Sequence, residues 1–223
     1  MSDTKNKEKI TLFHRDLFPK VAIIDPELML SVPSRVTAAT GFDAFTHAFE
    51  SYLGQRTSPL TEYLSLETIR LVVEYLPKAI QKPDSIEYRT KLAWADTAAG
   101  ICLSNGGADL PHPLGEIIGG ICQRIAHGET LAIVYPAFLE YKEEIAAEKF
   151  RNIASYLGIE KTPKALTNEV IGLLKTTDLI RSKSRAAITL NEQEEILSHP
   201  LLKKLDPKNS EKILSIMSQS IEE

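Results

Sequence analysis

The chain has 223 residues, of which 43% are hydrophobic and 25% are charged, and its formal net charge is −4. This length is enough to bury a full core, and the composition is ordinary for a globular protein. Acidic and basic residues are interspersed, so there is no basic field to hold nucleic acid or an anionic membrane surface. No apolar run approaches the roughly 18 residues that a membrane-spanning helix needs. We therefore expect neither nucleic acid nor a membrane as a partner.

The N-terminal part predicts two short strands, at 9–13 and 20–24, separated by a turn that contains Pro19. Asp25 and Pro26 end the second strand. Two strands do not make a stable sheet by themselves and need a third strand or a covering helix. We interpret residues 1–30 as the edge of a sheet whose remaining strands are missing, and residues 31–223 as a separate helical domain.

After Pro33 the apolar residues recur with the spacing of an amphipathic helix. The predicted helices span 36–53, 59–80, 84–104, 111–122, 128–145, 147–156 and 163–175, with weaker helical segments over 189–219 and loops at 157–163 and 176–190. Pro136 interrupts the apolar segment 128–139 and predicts a kink. Trp94 is predicted to pack in the core. The fold class is accordingly mainly α, a helical bundle with a short two-stranded β segment at its N-terminus.

The cysteines and the N-terminal residues predict the compartment. Cys102 and Cys122 do not form a Cys-x-x-Cys pair, and we interpret both as small buried hydrophobic residues. The first nine residues are polar and lack the apolar segment of a signal peptide. We therefore expect a reducing cytoplasm.

Asp43 and His47, four residues apart on a predicted helix, project from one face, and His112 and His127 follow in later segments. One carboxylate and three imidazoles suit iron(II) or zinc, because a harder ion needs more oxygen ligands and a softer one prefers sulfur. An ordinary alternative is that this face of the helix is exposed to water. The residues alone leave both interpretations open.

The segment 39–50, Ala-Thr-Gly-Phe-Asp-Ala-Phe-Thr-His-Ala-Phe-Glu, resembles the metal-ligand helix of the iron-dependent alcohol dehydrogenases. The preceding run 19–27, Pro-Lys-Val-Ala-Ile-Ile-Asp-Pro-Glu, and the two later histidines follow the same order, so the resemblance covers roughly 9–142. It implies the helical C-terminal domain of these enzymes and of dehydroquinate synthase-like folds. It also implies that the metal ligands are Asp43, His47, His112 and His127.

Two features depart from the family pattern. Many members carry a further histidine four residues after the third ligand, where this chain has Glu116. We interpret Glu116 as a hydrogen-bond acceptor for a ligand imidazole or a proton acceptor near the substrate, with an exposed helix carboxylate as the alternative. The family also begins with a dinucleotide-binding domain, and we expect residues 1–30 to be its remnant strands. No glycine-rich turn suited to a pyrophosphate is recognisable, so the residues that bind a nicotinamide cofactor stay unknown.

The resemblance implies a metal-dependent alcohol dehydrogenase that interconverts a small alcohol with an aldehyde or ketone, using NAD or NADP and iron(II) or zinc. This chain would supply its helical metal-binding half, in a homo-oligomer. Two alternatives remain open. One is a zinc glycerol dehydrogenase-like enzyme, which a basic cluster facing the metal would favour. The other is a truncated, non-catalytic remnant that acts as a metal-binding or oligomerisation module.

Overall fold

A computed structural model describes residues 2–12, 14–180, 188–205 and 209–222. The helices are α1 (Ser34–Leu53), α2 (Pro59–Gln81), α3 (Ile86–Gly106), α4 (Pro111–Ile121), α5 (His127–Ile145), α6 (Ala147–Tyr156), α7 (Pro163–Thr176), α8 (Leu190–Leu197), α9 (Leu202–Leu205) and α10 (Ser210–Glu222). The prediction of a mainly α fold is confirmed. Through α7, each predicted helix begins and ends within two residues of the observed one. Hydroxyl side chains cap several helices at their N-termini, including Ser58 before α2 and Thr162 before α7.

The predicted strands are wrong in position. The strands of the described residues are β1 (Ser2–Asp3) and β2 (Glu8–Lys9), which pair antiparallel with Ser2 opposite Lys9. Residues 10–12 and 20–24 form no strand, and Phe13 lies outside the described residues. The β-branched residues at 20–24 favour extended backbone, but a strand also needs a neighbouring strand to satisfy its backbone groups. The described residues place none beside 20–24.

The C-terminal helical segment is divided further than its periodicity predicts. The segment 189–219 contains α8, α9 and most of α10, and residues 206–208 lie outside the described residues. Pro200 falls between α8 and α9, where its missing backbone N–H ends the helical ladder. In the predicted loop at 176–190, residues 181–187 also lie outside the described part. Pro136 lies within the continuous α5, and the kink expected there stays a prediction.

The main core forms where α1 packs against α2, α3 and α5. Phe42, Phe45 and Phe49 on one face of α1 are fully buried, and all three lie edge-on to Tyr135 of α5. These aromatic contacts fix both the position and the rotation of α1. The prediction for Trp94 is wrong, because its side chain on α3 is 49% exposed.

A second apolar cluster joins α4 and α5 to the C-terminal helices. Ile118 of α4, Val134 of α5, Ile196 of α8 and Met217 of α10 are fully buried in it. Because α5 contributes to both clusters, it is the central helix of the described fold. The N-termini of α4 and α5 are thereby held against α1, which brings His112 and His127 towards Asp43.

Candidate metal centre

Helix α1 carries the first two predicted ligands on the face opposite its buried aromatic residues. Asp43, His47 and Glu50 are spaced i, i+4 and i+7, so they share one side of the helix. Asp43 and His47 are partly buried, with 25% and 20% of their side chains exposed. Glu50 is only 1% exposed. The alternative that this face is simply solvated is therefore wrong.

The other two predicted ligands lie at helix N-termini. His112 is the second residue of α4, and His127 is the first residue of α5. Two glycines allow the close packing that brings these ends together. A side chain at Gly115 would meet Thr130 and Leu131 of α5, and one at Gly128 would overlap the Ala39 backbone of α1. The backbone that approaches Gly128 this closely is therefore that of α1.

The four predicted ligand residues meet around one carboxylate oxygen. Asp43 Oδ1 lies 3.5 Å from His47 Nε2, 3.6 Å from His112 Nε2 and 3.9 Å from His127 Nε2. Asp43, His112 and His127 form a compact group in which one potential ligand atom from each lies within 4.8 Å of the others. His47 lies beside this group, with its ring stacked on that of His112 at a centroid distance of 4.7 Å.

The donor atoms fit a divalent cation. Ligands of a tetrahedral ion with bonds of about 2.0–2.1 Å lie about 3.4 Å from one another, close to the separations seen around Asp43 Oδ1. Within the described residues, the buried atoms Asp43 Oδ1 and His112 Nε2 have no hydrogen-bond partner. Buried polar atoms are normally satisfied, and a cation between these two facing atoms would satisfy both. One oxygen and three nitrogens suit zinc or iron(II).

The electrostatics favour the protonation states that a metal needs at Asp43, His47 and His127. Burial alone would raise the pKa of Asp43, but the three imidazoles lower it overall and keep the carboxylate ionised. Burial lowers the pKa of His47 to about 4, so its ring is neutral at pH 7. Burial also lowers the pKa of His127. At His112 burial has the same tendency, but the nearby Glu50 and Asp43 carboxylates outweigh it and raise the pKa.

Sequence reasoning missed the role of Glu50. Its Oε2 lies 2.8 Å from His112 Nδ1 and accepts a hydrogen bond of 2.7 Å from the backbone N–H of Asp109. The missed signal was its position on the Asp43 and His47 face of α1. Glu116, the carboxylate predicted to accept from a ligand imidazole, is half-buried and accepts instead from the hydroxyl of Thr11 at 2.8 Å. The acceptor on the His112 imidazole is therefore Glu50.

A cleft of about 430 Å³ adjoins this region, between the N-terminal hairpin, α4 and the 199–204 segment. Its lining includes Lys7, Lys9, Pro113, Glu116 and Lys204. Burial lowers the pKa of Lys9, although the Glu116 and Asp43 carboxylates oppose this effect. No basic cluster near the histidines is recognisable in the sequence. The cleft nevertheless gathers lysines from both ends of the chain.

The helical fold and this donor set define a candidate metal-binding domain. The chain belongs to the Fe-containing alcohol dehydrogenase family, whose C-terminal family model matches residues 37–219. The family predicted from segments 19–27 and 39–50 is therefore confirmed. Among the described residues, no helix is both long enough and apolar enough to cross a membrane.

Similar proteins include curated enzymes and solved structures. The chain is 35% identical over 158 residues to the NAD-dependent methanol dehydrogenase of Bacillus methanolicus, covering 71% of this chain and 41% of that enzyme. It is 37% identical over 150 residues to long-chain-alcohol dehydrogenase 1 of Geobacillus thermodenitrificans, covering 67% of this chain and 38% of that enzyme. The chain thus spans about two fifths of the length of these relatives.

Among solved structures, an archaeal halo-thermophilic alcohol dehydrogenase from a Red Sea brine pool superposes with a TM-score of 0.87 and 26% identity. That match covers 99% of this chain and 59% of the other. An iron-containing alcohol dehydrogenase from Thermotoga maritima matches with a TM-score of 0.70 and 27% identity, over 89% of this chain and 53% of that one.

Proposed function

We propose that this chain is the metal-binding half of an NAD(P)-dependent alcohol dehydrogenase that interconverts a small alcohol with an aldehyde or ketone. Asp43, His47, His112 and His127 hold iron(II) or zinc. The observation that carries this proposal is the convergence of three imidazole Nε2 atoms on Asp43 Oδ1. Relatives named as alcohol dehydrogenases support the reaction class. The free, buried Cys102 and Cys122 are consistent with a reducing cytoplasm.

The residues of this chain prepare the centre for an alcohol. When bound, the metal would act as a Lewis acid that stabilises negative charge on the alcohol oxygen. The aromatic face of α1 holds Asp43 in place, and the neutral ring of His47 keeps a lone pair available at pH 7. Glu116, one helical turn after His112, is the candidate acceptor for a proton near the substrate, and the Thr11 hydroxyl orients it.

We also propose that residues 1–30 belong with a dinucleotide-binding domain, which supplies NAD or NADP, and that 31–223 form the helical domain. Support comes from the exposure of apolar side chains between β2 and α1. The exposed large hydrophobic residues of this segment are Ile10, Leu12, Leu17, Phe18, Val21, Ile23, Ile24 and Leu28. Such a concentration of exposed apolar side chains is typical of an interface with another domain or subunit. The greater length of the relatives is consistent with a further domain.

Metal content tests the ligand set. We expect the purified chain to bind about one divalent ion, and we expect His112→Ala and His127→Ala to lose most of it, because three remaining ligands leave the shell unsaturated. Elemental analysis after anaerobic loading with iron(II) or zinc measures this. His14→Ala is the matched control, since His14 is exposed and remote from Asp43 along the chain. Unchanged metal content in both site variants contradicts the assignment.

Turnover tests the proposed division of the enzyme. We expect little NAD- or NADP-dependent oxidation of short alcohols or glycerol by this chain alone. Turnover should appear when a family dinucleotide-binding domain is added, either fused to the N-terminus or as a separate fragment. Nicotinamide absorbance is the readout, with the same assembly carrying His127→Ala as the control. A chain that binds metal but gives no turnover with any added domain is instead a metal-binding or oligomerisation module.

A further inference from the structure

Glu50 is a carboxylate buried on the inner side of the proposed metal centre. Only 1% of the residue is exposed, and its Oε2 contacts both His112 Nδ1 and the Asp109 backbone N–H. Removing a carboxylate from water is costly unless hydrogen bonds or an opposite charge compensate it. Both contacts of Glu50 lie on the segment that leads into α4 and carries His112. Glu50 therefore contacts both the ring of this ligand and the backbone that precedes it.

We propose that Glu50 is the positioning residue of the metal centre, and that its carboxylate holds the His112 ring with the Nε2 lone pair directed towards Asp43. The proposal rests on the metal centre proposed above. An imidazole that donates its Nδ1–H to a carboxylate presents Nε2 as the free ligand atom. The hydrogen bond also fixes the plane of the ring and makes it a stronger donor to a cation.

The two ends of the His112 ring support this role. The Nδ1 end lies 2.8 Å from Glu50, whereas the Nε2 end lies 3.6 Å from Asp43 Oδ1 and has no hydrogen-bond partner within the described residues. The ring is therefore held at one end and open at the end that faces the other ligands. This is the orientation that coordination through Nε2 requires.

Glu50 also anchors the backbone that precedes His112. The Asp109 N–H donates to Glu50 Oε2, and the Asp109 side chain forms an ion pair of 2.7 Å with Lys142 of α5. The segment before α4 is thereby tied to both α1 and α5. A purely structural role for Glu50 would use this backbone contact alone, so an experiment has to separate the two contacts.

Glu50→Gln makes that separation. Glutamine keeps the volume of the side chain and a carbonyl oxygen that can accept from the Asp109 N–H. It removes the charge that holds the His112 N–H, and a flipped amide would donate to Nδ1 and favour the wrong tautomer. Asp96→Asn is the matched control. Burial and then the charge of Asp43 raise the pKa of Asp96, so this control removes a carboxylate that interacts electrostatically with Asp43 and keeps the contact of His112 with Glu50.

The measurement is the zinc affinity of the full chain, obtained by competition with a chromogenic chelator, together with urea unfolding of each metal-free variant. We expect Glu50→Gln to weaken zinc binding about 10–100-fold, as is typical of acceptors that orient a ligand imidazole. We expect Asp96→Asn to change the affinity by less than about five-fold. Equal affinities for the wild type and Glu50→Gln, or equal losses in both variants, overturn the proposal.

A second measurement does not depend on whether the variant folds. In the zinc-loaded wild type, nitrogen-15 NMR of the imidazoles should show His112 protonated at Nδ1 and coordinated through Nε2, and coordination through Nδ1 would overturn the proposal. Failure of the wild type to bind zinc is a different result. That result contradicts the metal centre itself. If the wild type binds zinc and Glu50→Gln binds it with the same affinity, only the role of Glu50 is contradicted.

Discussion

At the scale of single residues, most side chains of the candidate centre could be predicted from the sequence, but the role of Glu50 could not. Asp43, His112 and His127 were predicted from residue type, order and resemblance, and the structure brings them together. Glu50 was visible on the same helix face but had no predicted partner, because its contact lies on α4. Glu116, one turn from His112, has a different partner from the one predicted, since its helix position directs it towards Thr11. A proton-acceptor role for it stays a prediction.

Gly128 provides a test of how closely α1 and α5 must pack. In Gly128→Ala the new Cβ would overlap the carbonyl oxygen of Ala39, and backbone cannot move aside as a flexible side chain can. We expect the free energy of unfolding to fall by about 1–3 kcal/mol. Zinc affinity should fall as well, since displacement of α5 moves His127 away from Asp43. Urea denaturation and chelator competition measure the two effects.

Gly172→Ala is the control for this substitution. Gly172 also lies within a helix, α7, but a Cβ there meets nothing within 4 Å. Alanine should therefore stabilise the helix by roughly 0.5–1 kcal/mol through its lower conformational entropy in the unfolded chain. Equal unfolding midpoints for the two alanine variants would show that the contact with Ala39 does not limit the packing.

At the scale of elements, α1 supports the site because its two faces have different partners. Its aromatic face is buried against α5, and its acidic and histidine face meets the N-termini of α4 and α5. The end of α1 is held by α6, where Lys149 Nζ donates to the carbonyl oxygens of Tyr52, Leu53 and Gly54 at 2.9, 3.2 and 2.7 Å. A cation at this position satisfies terminal carbonyls and complements the helix dipole.

Lys149→Met should therefore destabilise the chain while preserving most of the apolar contact of the lysine stem. We expect the free energy of unfolding to fall by about 1.5–3 kcal/mol, the range for hydrogen bonds to a charged group. Lys161→Met, at an exposed position before α7, should change it by less than about 0.5 kcal/mol. Chemical denaturation of both variants decides the matter. A Lys149 variant as stable as the Lys161 variant would mean that water caps α1 equally well.

At the scale of the whole molecule, the described helices bury two large apolar clusters and a small one, whereas the segment between β2 and α1 buries little. Phe18, Val21 and Ile23 are 62%, 78% and 89% exposed. In a chain studied without further domains, such a surface favours self-association. The expectation of a homo-oligomer and the proposal of a dinucleotide-binding domain both place a contact on this surface.

Sedimentation of the isolated chain tests the apolar segment. We expect concentration-dependent association, and we expect the combined substitution Phe18→Ser, Val21→Thr and Ile23→Thr to reduce it by removing apolar area from the contact. Leu60→Ser with Leu190→Thr is the control, because these residues are 64% and 76% exposed on other parts of the molecule. A wild-type chain that remains monomeric at all concentrations would contradict the expectation that this apolar segment mediates self-association.

Most helices could be predicted from the sequence because the signals that define a helix lie within the helix or next to its ends. Helical periodicity and the positions of proline and glycine predicted α1 to α7 to within two residues, and the 39–50 segment indicated the family. The strands at 9–13 and 20–24 could not be predicted correctly, because strand formation depends on a neighbour that local composition does not reveal. The burial of Trp94 was predicted wrongly for a related reason, because the helices that pack beside α3 determine which of its faces is covered.

The geometry of the site is a long-range property of the same chain. Residue types and order identified Asp43, His47, His112 and His127 as ligand candidates, but their separations depend on how α1, α4 and α5 pack. The contact between Glu50 and His112, and the gathering of Lys7, Lys9 and Lys204 in one cleft, likewise join distant segments. Local propensity acts over a few residues, whereas close packing of side chains from both ends of the chain determines which polar groups are buried together.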